Sequence, residues 1–272
     1  MSDSTTQIEQ YYDDSPQREW ERLERHRTEF AVTSHVLNDT LPAPPAFILD
    51  VGGGPGRYAF MLAERGYLVT LLDLSQKNLD FAHHKADTTG QTLHAYVHAN
   101  ATDLSAFPSD SFDAVLLMGP LYHLGELEQR QQALREAYRV LKPNALLFAA
   151  FITRNAPFRT LARLAPSLLF EESASWQDFI QTGVYKGYGS IGFTASYFAY
   201  PTEIRPLLEL SGFEILGLQA CEGIVGDVEE RINALSGEHW QAWVDLNVSL
   251  GKDPSVLGAA YHLLAIGRKV GV

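Results

Sequence analysis

Asp50-Val51-Gly52-Gly53-Gly54-Pro55-Gly56 follows an apolar run and precedes a helical stretch that begins near Arg57. Glycines at such a junction let the backbone turn sharply and let a ligand approach the main chain without meeting a Cβ. The following helix aims unpaired N–H groups at the same point. Asp73 ends the next apolar run, where a carboxylate accepts hydrogen bonds from the hydroxyls of a ribose. Together these residues point to a cofactor containing adenosine. A dinucleotide fingerprint counted from Gly52 needs glycine or alanine at position 57, where Arg57 stands. A nicotinamide-dependent oxidoreductase is therefore the weaker alternative.

The hydrophobic pattern supplies the elements that must hold these residues. Seven apolar runs read as strands: Ile48–Val51, Tyr67–Leu72, His94–His98, Ala114–Met118, Ala145–Ile152, Phe213–Gln219 and His262–Gly267. Between them fall helical stretches: Arg57 to Arg65, one capped by Ser75 and ending near Gly90, one from Leu127 to Leu141 stopped by Lys142-Pro143, one toward Leu210, and a long one from Val228 to Leu250. Strands alternating with helices, several of them apolar on both faces, predict an α/β fold: a doubly wound, mostly parallel, Rossmann-like sheet of seven strands. Residues 1–45 read as an N-terminal cap of one or two helices, closed by Leu41-Pro42-Ala43-Pro44-Pro45. Residues 46–272 form the core. Within it, residues 153–200 carry Phe158, Phe170, Trp176, Phe179, Tyr185, Tyr188, Phe193, Tyr197, Phe198 and Tyr200 without a clean period. That segment reads as an inserted lid or pocket wall after the fifth strand.

Composition narrows the partners. A net charge of −12 opposes binding to a phosphate backbone, so nucleic acid is not the expected partner. Arg18, Arg22, Arg25, His26 and Arg27 are interleaved with Glu19, Glu21, Glu24 and Glu29, a mixture that reads as a solvated helix face before it reads as an anion site. The apolar run Ala145–Ile152 is far short of the roughly 20 residues that cross a bilayer, and Met1–Asp14 has no apolar stretch of the secretory kind. No membrane association and a cytoplasmic location are expected. Cys221 is the one cysteine, and His83, His84, His94 and His98 lack convergent ligand spacing; no metal is predicted.

With Asp50 two residues before Gly52, Gly54 and Gly56, and with Asp73-Leu74-Ser75 following, the chain resembles the class I SAM-dependent methyltransferase family from about residue 46 to 152. The resemblance implies S-adenosylmethionine (SAM) as cofactor. Asp50 then binds its methionine end, Gly52, Gly53, Gly54 and Gly56 line methionine and ribose, Asp73 holds the ribose and Leu74 packs on adenine. The family's third region falls on Asn100-Ala101-Thr102-Asp103. An acid is expected where Asn100 stands; its carbonyl oxygen takes the adenine amine, with Asp103 as the alternative, while the N–H of Ala101 faces a ring nitrogen. Met118-Gly119-Pro120-Leu121-Tyr122-His123 falls where the family places the transferring methyl group. It keeps one proline and the aromatic of the nucleic-acid amino methyltransferases but lacks their Asn or Asp, which argues against base methylation.

The resemblance thus implies methyl transfer to an N, O, S or C atom of a small molecule. His123 is the candidate general base; a helix-start histidine bonded to backbone is the plain alternative. Tyr122 packs on the cofactor or orients substrate. Tyr12, beside Tyr11, lies on a segment that closes the mouth or simply packs on the core. Trp176 and Tyr197 stand for an aromatic pocket that holds a ring or an amine, or equally for lid aromatics that form only a small satellite core. A catalytically silent, methyltransferase-like binding or regulatory protein is the other alternative, and an intact glycine loop with Asp73 opposes it.

Overall fold

The computed structural model describes residues 4–171, 173–186 and 195–271. Three helices open the chain: α1 (Ser4–Asp13), α2 (Pro16–Arg25) and α3 (Arg27–Thr40). Then follow β1 (Phe47–Val51), α4 (Arg57–Ala63), β2 (Leu68–Asp73), α5 (Gln76–Thr89), β3 (Ala95–His98), β4 (Phe112–Leu117), α6 (Pro120–His123), α7 (Leu127–Val140) and β5 (Leu141–Ile152). The inserted region carries α8 (Ala156–Leu164), α9 (Leu168–Glu171), α10 (Ser173–Thr182) and a two-stranded ladder of β6 (Val184–Tyr185) and β7 (Ser196–Tyr197). The chain then runs through α11 (Pro201–Leu210), β8 (Phe213–Ala220), a 3-10 turn (Gly223–Val228), α12 (Glu229–Asn233), α13 (Gly237–Leu250), α14 (Pro254–Leu257) and β9 (His262–Lys269).

Seven strands form one sheet in the order β3-β2-β1-β4-β5-β9-β8. The pairs among β1 to β5 are parallel, and β9 is antiparallel to both β5 and β8. The sheet is therefore mostly parallel, as its apolar strands predict. Period-2 alternation splits them between two layers. Leu49, Val51, Val115, Leu117 and Leu147 face α7 and α11, whereas Ile48, Val69, Leu71, Leu116 and Phe148 face α3, α4 and α5. Each buried Leu or Ile contributes about 1.5–3 kcal/mol, and cutting the fully buried Leu49 back to alanine would cost about 2–5 kcal/mol. Strand order reverses between β1 and β4, and the crevice at such a switch point, outside the carboxyl ends of the strands, is where open α/β sheets bind ligands.

Local chemistry sets several boundaries. Ser75 caps α5 by accepting the Asn78 N–H, and Gly90 ends that helix in the left-handed region. Three expectations need correction. The cap has three helices, broken near Ser15-Pro16 and again at His26. Val228–Leu250 is not one helix: the chain unwinds at 234–236, and Gly237 takes φ +56° at the start of α13. Pro143 does not separate a helix from a strand, because α7 passes directly into β5 at Leu141. It sits where the β4–β5 register jumps from Leu141 to Leu146, a stretch in which a residue without an N–H donor breaks no ladder bond.

In the inserted region Leu161, Trp176, Phe179, Tyr185 and Phe198 form a satellite core, with Phe158 packed against it. Phe170 is exposed, and Tyr188 and Phe193 lie outside the described residues. Among the described residues no helix is long and apolar enough to cross a membrane.

Candidate active site

A cavity opens at the switch point. Its floor is the loop after β1 and the ends of β2 and β4; its roof is α1 and α2, through Ile8, Tyr12, Glu19, Arg22 and Leu23. Gly52, Gly53, Gly54, Asp50, Asp73, Leu74, Asn100, Ala101, Met118, Tyr122 and His123 all border it. Gly56 stands just behind, as the left-handed residue that turns the loop into α4. The local geometry excludes side chains at two points. A Cβ on Gly53 would lie 2.5 Å from Asp50 Oδ2, and one on Gly52, whose φ is +67°, would lie 2.7 Å from the Pro120 ring.

Asp50 is 1% exposed, and its Oδ2 has no hydrogen-bond partner among the described residues. Burial, with the neighbouring Asp73 charge, pushes its carboxyl up to about 7. A buried acceptor left unmatched beside a cavity is costly unless a ligand cation completes it. Asp73 is bonded on several sides. It accepts from the Gly54 N–H (2.7 Å), the Ser75 N–H (2.9 Å) and Asn78 Nδ2 (3.2 Å). A carboxylate has roughly four acceptor sites, so Asp73 keeps room for one ribose hydroxyl in addition to its loop contacts.

Asn100 lines the cavity and Asp103 does not; the Asp103 carboxylate accepts the Ser105 N–H instead. The Asn100 carbonyl oxygen accepts both the N–H and the hydroxyl of Thr102, at 3.0 and 2.9 Å. Without a ligand that oxygen is engaged in an Asx turn, and the amide nitrogen is the group that faces no such partner.

His123 ends the short α6 and is buried. Its Nε2 lies 2.6 Å from the Tyr12 hydroxyl, and the two rings meet edge to face. Burial pushes the imidazole down to about 3 and the Tyr12 phenol well above its ordinary value. The imidazole is therefore neutral and shares one hydrogen bond with the phenol, whose direction is set by the ring tautomer. Tyr122 stacks at a tilt on His123 and donates to the Met118 carbonyl. A second tie holds α1 down, from Ser75 Oγ to Asp13 Oδ1 at 2.5 Å.

Trp176 and Tyr197 are not brought to this cavity. Trp176 lies in the satellite core against Phe158 and Phe179. Tyr197 donates to Glu203 and lies under Arg130, whose guanidinium carbon is 3.6 Å from the ring centroid. Arg130 in turn donates to the carbonyls of Leu124 and Gly125, so Tyr197 supports the loop after His123 from behind.

The structure adds Arg57, at the start of α4, and Arg22, which lines the cavity although its mixed-charge helix reads as a solvated face. Arg22 is held by Glu29 through two hydrogen bonds of 2.7 and 2.9 Å. Arg57 packs on Trp20 and pairs with Glu24. An apolar or aromatic companion beside each arginine was the available sequence signal, but helix composition alone does not say which turn faces inward. Glu29, Glu222 and His262 place ligand-type atoms within 4.8 Å of one another, yet this group already holds its own cations, His262 and Arg22.

Residues 49–149 match the family model described as a methyltransferase domain. Over this segment the chain carries a methyltransferase domain. A tRNA 5-carboxymethoxyuridine methyltransferase of Escherichia coli O157:H7 is 27% identical over 171 residues, covering 62% of this chain and 60% of that enzyme. A ubiquinone biosynthesis O-methyltransferase of Caulobacter vibrioides is 28% identical over 138 residues, covering 49% of this chain and 53% of the relative. The chain thus matches about three fifths or less of these relatives' length. Among solved structures, a Burkholderia thailandensis 1,6-didemethyltoxoflavin-N1-methyltransferase with 1,6-didemethyltoxoflavin and S-adenosylhomocysteine bound superposes with a TM-score of 0.59. It is 15% identical, and the match covers 98% of this chain and 87% of that one. This methyltransferase fold therefore spans nearly the whole chain, including the helices that roof the cavity.

Proposed function

We propose that the protein is a SAM-dependent methyltransferase acting on a small molecule bound between α6 and the roof helices. The single observation that carries the reading is the orphaned, buried Asp50 Oδ2 beside the glycine loop. An ammonium is the natural partner for that atom, and the cofactor's methionyl end has one. Arg22, in the roof of the same cavity, suits the adjoining carboxylate. Asp73 takes a ribose hydroxyl, Leu74 and Ala101 enclose the adenine, and the Asn100 amide donates to a ring nitrogen.

When bound, SAM supplies a methyl carbon already activated by its sulfonium, so the reaction is an in-line displacement. The chain's own task is to place the nucleophile and exclude water. Met118, Tyr122 and His123 stand around the acceptor position, and α1 closes over it through Tyr12. With its imidazole held neutral, His123 accepts a proton directly only after the Tyr12 hydroxyl moves aside; in the closed arrangement it orients rather than titrates. The small-molecule reading rests on the net charge of −12 and on a cavity roofed by two helices, since a polynucleotide needs a basic track to its target base. Modification of tRNA is the second reading, favoured by the E. coli relative.

Calorimetric titration with SAM and S-adenosylhomocysteine tests the cofactor, and methyl transfer from labelled SAM to phenols, amines, thiols and tRNA tests the acceptor. Binding with transfer to small molecules supports the proposal. Binding of neither ligand overturns it, and transfer to tRNA alone replaces the acceptor.

A further inference from the structure

Arg22 belongs to a chain of buried and partly buried charges that leaves the cavity and ends at the antiparallel pair β8–β9. Glu29 on α3 grips the Arg22 guanidinium with both oxygens. Behind it, His262 Nδ1 lies 3.7 Å from Glu29 Oε2 and 2.5 Å from Glu222 Oε1. The other Glu222 oxygen accepts the His262 backbone N–H at 2.9 Å. Glu222 follows β8 and His262 opens β9, so the series runs from the sheet to the roof: Glu222, His262, Glu29, Arg22. On the flanks, His26 pairs with Glu229, which also accepts the Thr28 N–H, and Glu19 lies 4.0 Å from Arg22 Nε. Arg22 and His262 hold Glu29 down to about 2, and Glu29 with Glu222 holds His262 up to about 9. Arginine, glutamate and histidinium therefore alternate in sign at neutral pH.

Such a series is an expensive way to glue two elements together. Desolvating charges costs several kcal/mol per ion, and apolar residues of similar volume often stabilise as well or better. What the series supplies is orientation. A guanidinium held by a bidentate carboxylate has its plane fixed, and its remaining donors keep one direction; here that direction is set in the roof of the cavity whose floor holds Asp50. We propose that His262 and Glu222 are positioning residues which, through Glu29, aim Arg22 at the carboxylate of the cofactor's methionyl end. The inference rests on the SAM reading above.

The test compares two ligands on His262→Gln and Glu222→Gln, with titration calorimetry of each folded variant. S-adenosylhomocysteine carries the amino-acid carboxylate; 5′-methylthioadenosine shares the nucleoside and lacks it. The expected result is S-adenosylhomocysteine weakened about tenfold, one charge-assisted hydrogen bond's worth, with methylthioadenosine within about twofold of the parent in the same samples. Equal weakening of both ligands would make the series a fold support only, and no weakening of either would disconnect it from the site; each result overturns the proposal. Glu222→Gln keeps an acceptor for the His262 N–H, so it carries the comparison should the histidine variant fail to fold. If the parent protein bound neither ligand, the cofactor reading itself would fall, an outcome distinct from the other two.

Discussion

The Tyr12 hydroxyl and His123 Nε2, 111 residues apart in the chain, lie 2.6 Å apart in the cavity. One bond therefore couples the helix that closes the site to the residue best placed to handle an acceptor proton. A titration at about 3 leaves this imidazole neutral throughout the physiological range. The pH–rate profile between about pH 5 and 8 should accordingly contain no limb that disappears in His123→Ala. A limb near the ordinary histidine value of about 6.5 that vanishes in the variant would show the ring titrating in solvent, with α1 displaced during turnover. Equilibrium unfolding should show His123→Ala destabilised by about 1–3 kcal/mol because the Tyr12 hydroxyl loses its partner, with part of that loss absent when Tyr12→Phe is the background.

Asp50 makes a second, opposite-signed prediction. Its carboxyl, raised to about 7, is partly protonated at neutral pH, and an ammonium beside it would drive the proton off. Cofactor binding should therefore release protons near pH 7 and tighten as pH rises from about 6 to 8, seen as a buffer dependence of the binding enthalpy. In Asp50→Asn both effects should be missing. Without ligand, the raised folded value means that the buried carboxyl lowers stability as pH climbs from the ordinary aspartate range toward 7. Asp50→Asn should then unfold at higher temperature than the parent at pH 8, by about 1–3 kcal/mol if other contacts persist.

His262 is predicted from the same linkage. Its folded value is raised from 6.5 to about 9, so its contribution is complete below about pH 6.5 and is lost as pH rises through 9. Thermal melts across pH 6 to 10 should show the parent losing stability over that interval and His262→Gln losing less. Parallel curves for the two proteins would mean that the ring is not held protonated by Glu29 and Glu222.

Much of the floor of the site was legible in the residues because its parts are local. Gly52 to Gly56 and Asp50 occupy one strand-to-helix turn, and Asp73 ends the adjacent parallel strand; apolar periodicity alone places both at the same sheet edge. The roof was not legible in this way. Arg22 sits among alternating charges that read as solvent-facing, and its inward turn is set by Glu29, itself fixed by Glu222 and His262 some 200 residues later. Trp176 and Tyr197 failed for a related reason. Aromatic composition says that a segment buries rings, but not against what; these two bury them against Phe179 and Arg130 rather than against a ligand. At Asn100 the sequence places a residue on the cavity lining, but the Thr102 turn that engages its oxygen follows from backbone geometry.

The antiparallel β9, wedged between β5 and β8, has a consequence for the order of assembly during synthesis. The glycine loop, its parallel strands and the residues that hold α1 and α2, namely Phe60, Ser75, Phe81 and His123, all precede residue 200, whereas Glu222 and His262, which fix Glu29 and through it Arg22, are made later. A nascent chain arrested with residues 1–200 exposed should already hold α1 and α2 on the floor but leave Glu29 without His262, so Arg22 should take its fixed direction only once β9 has joined the sheet. The cavity would thus be roofed before its arginine is aimed.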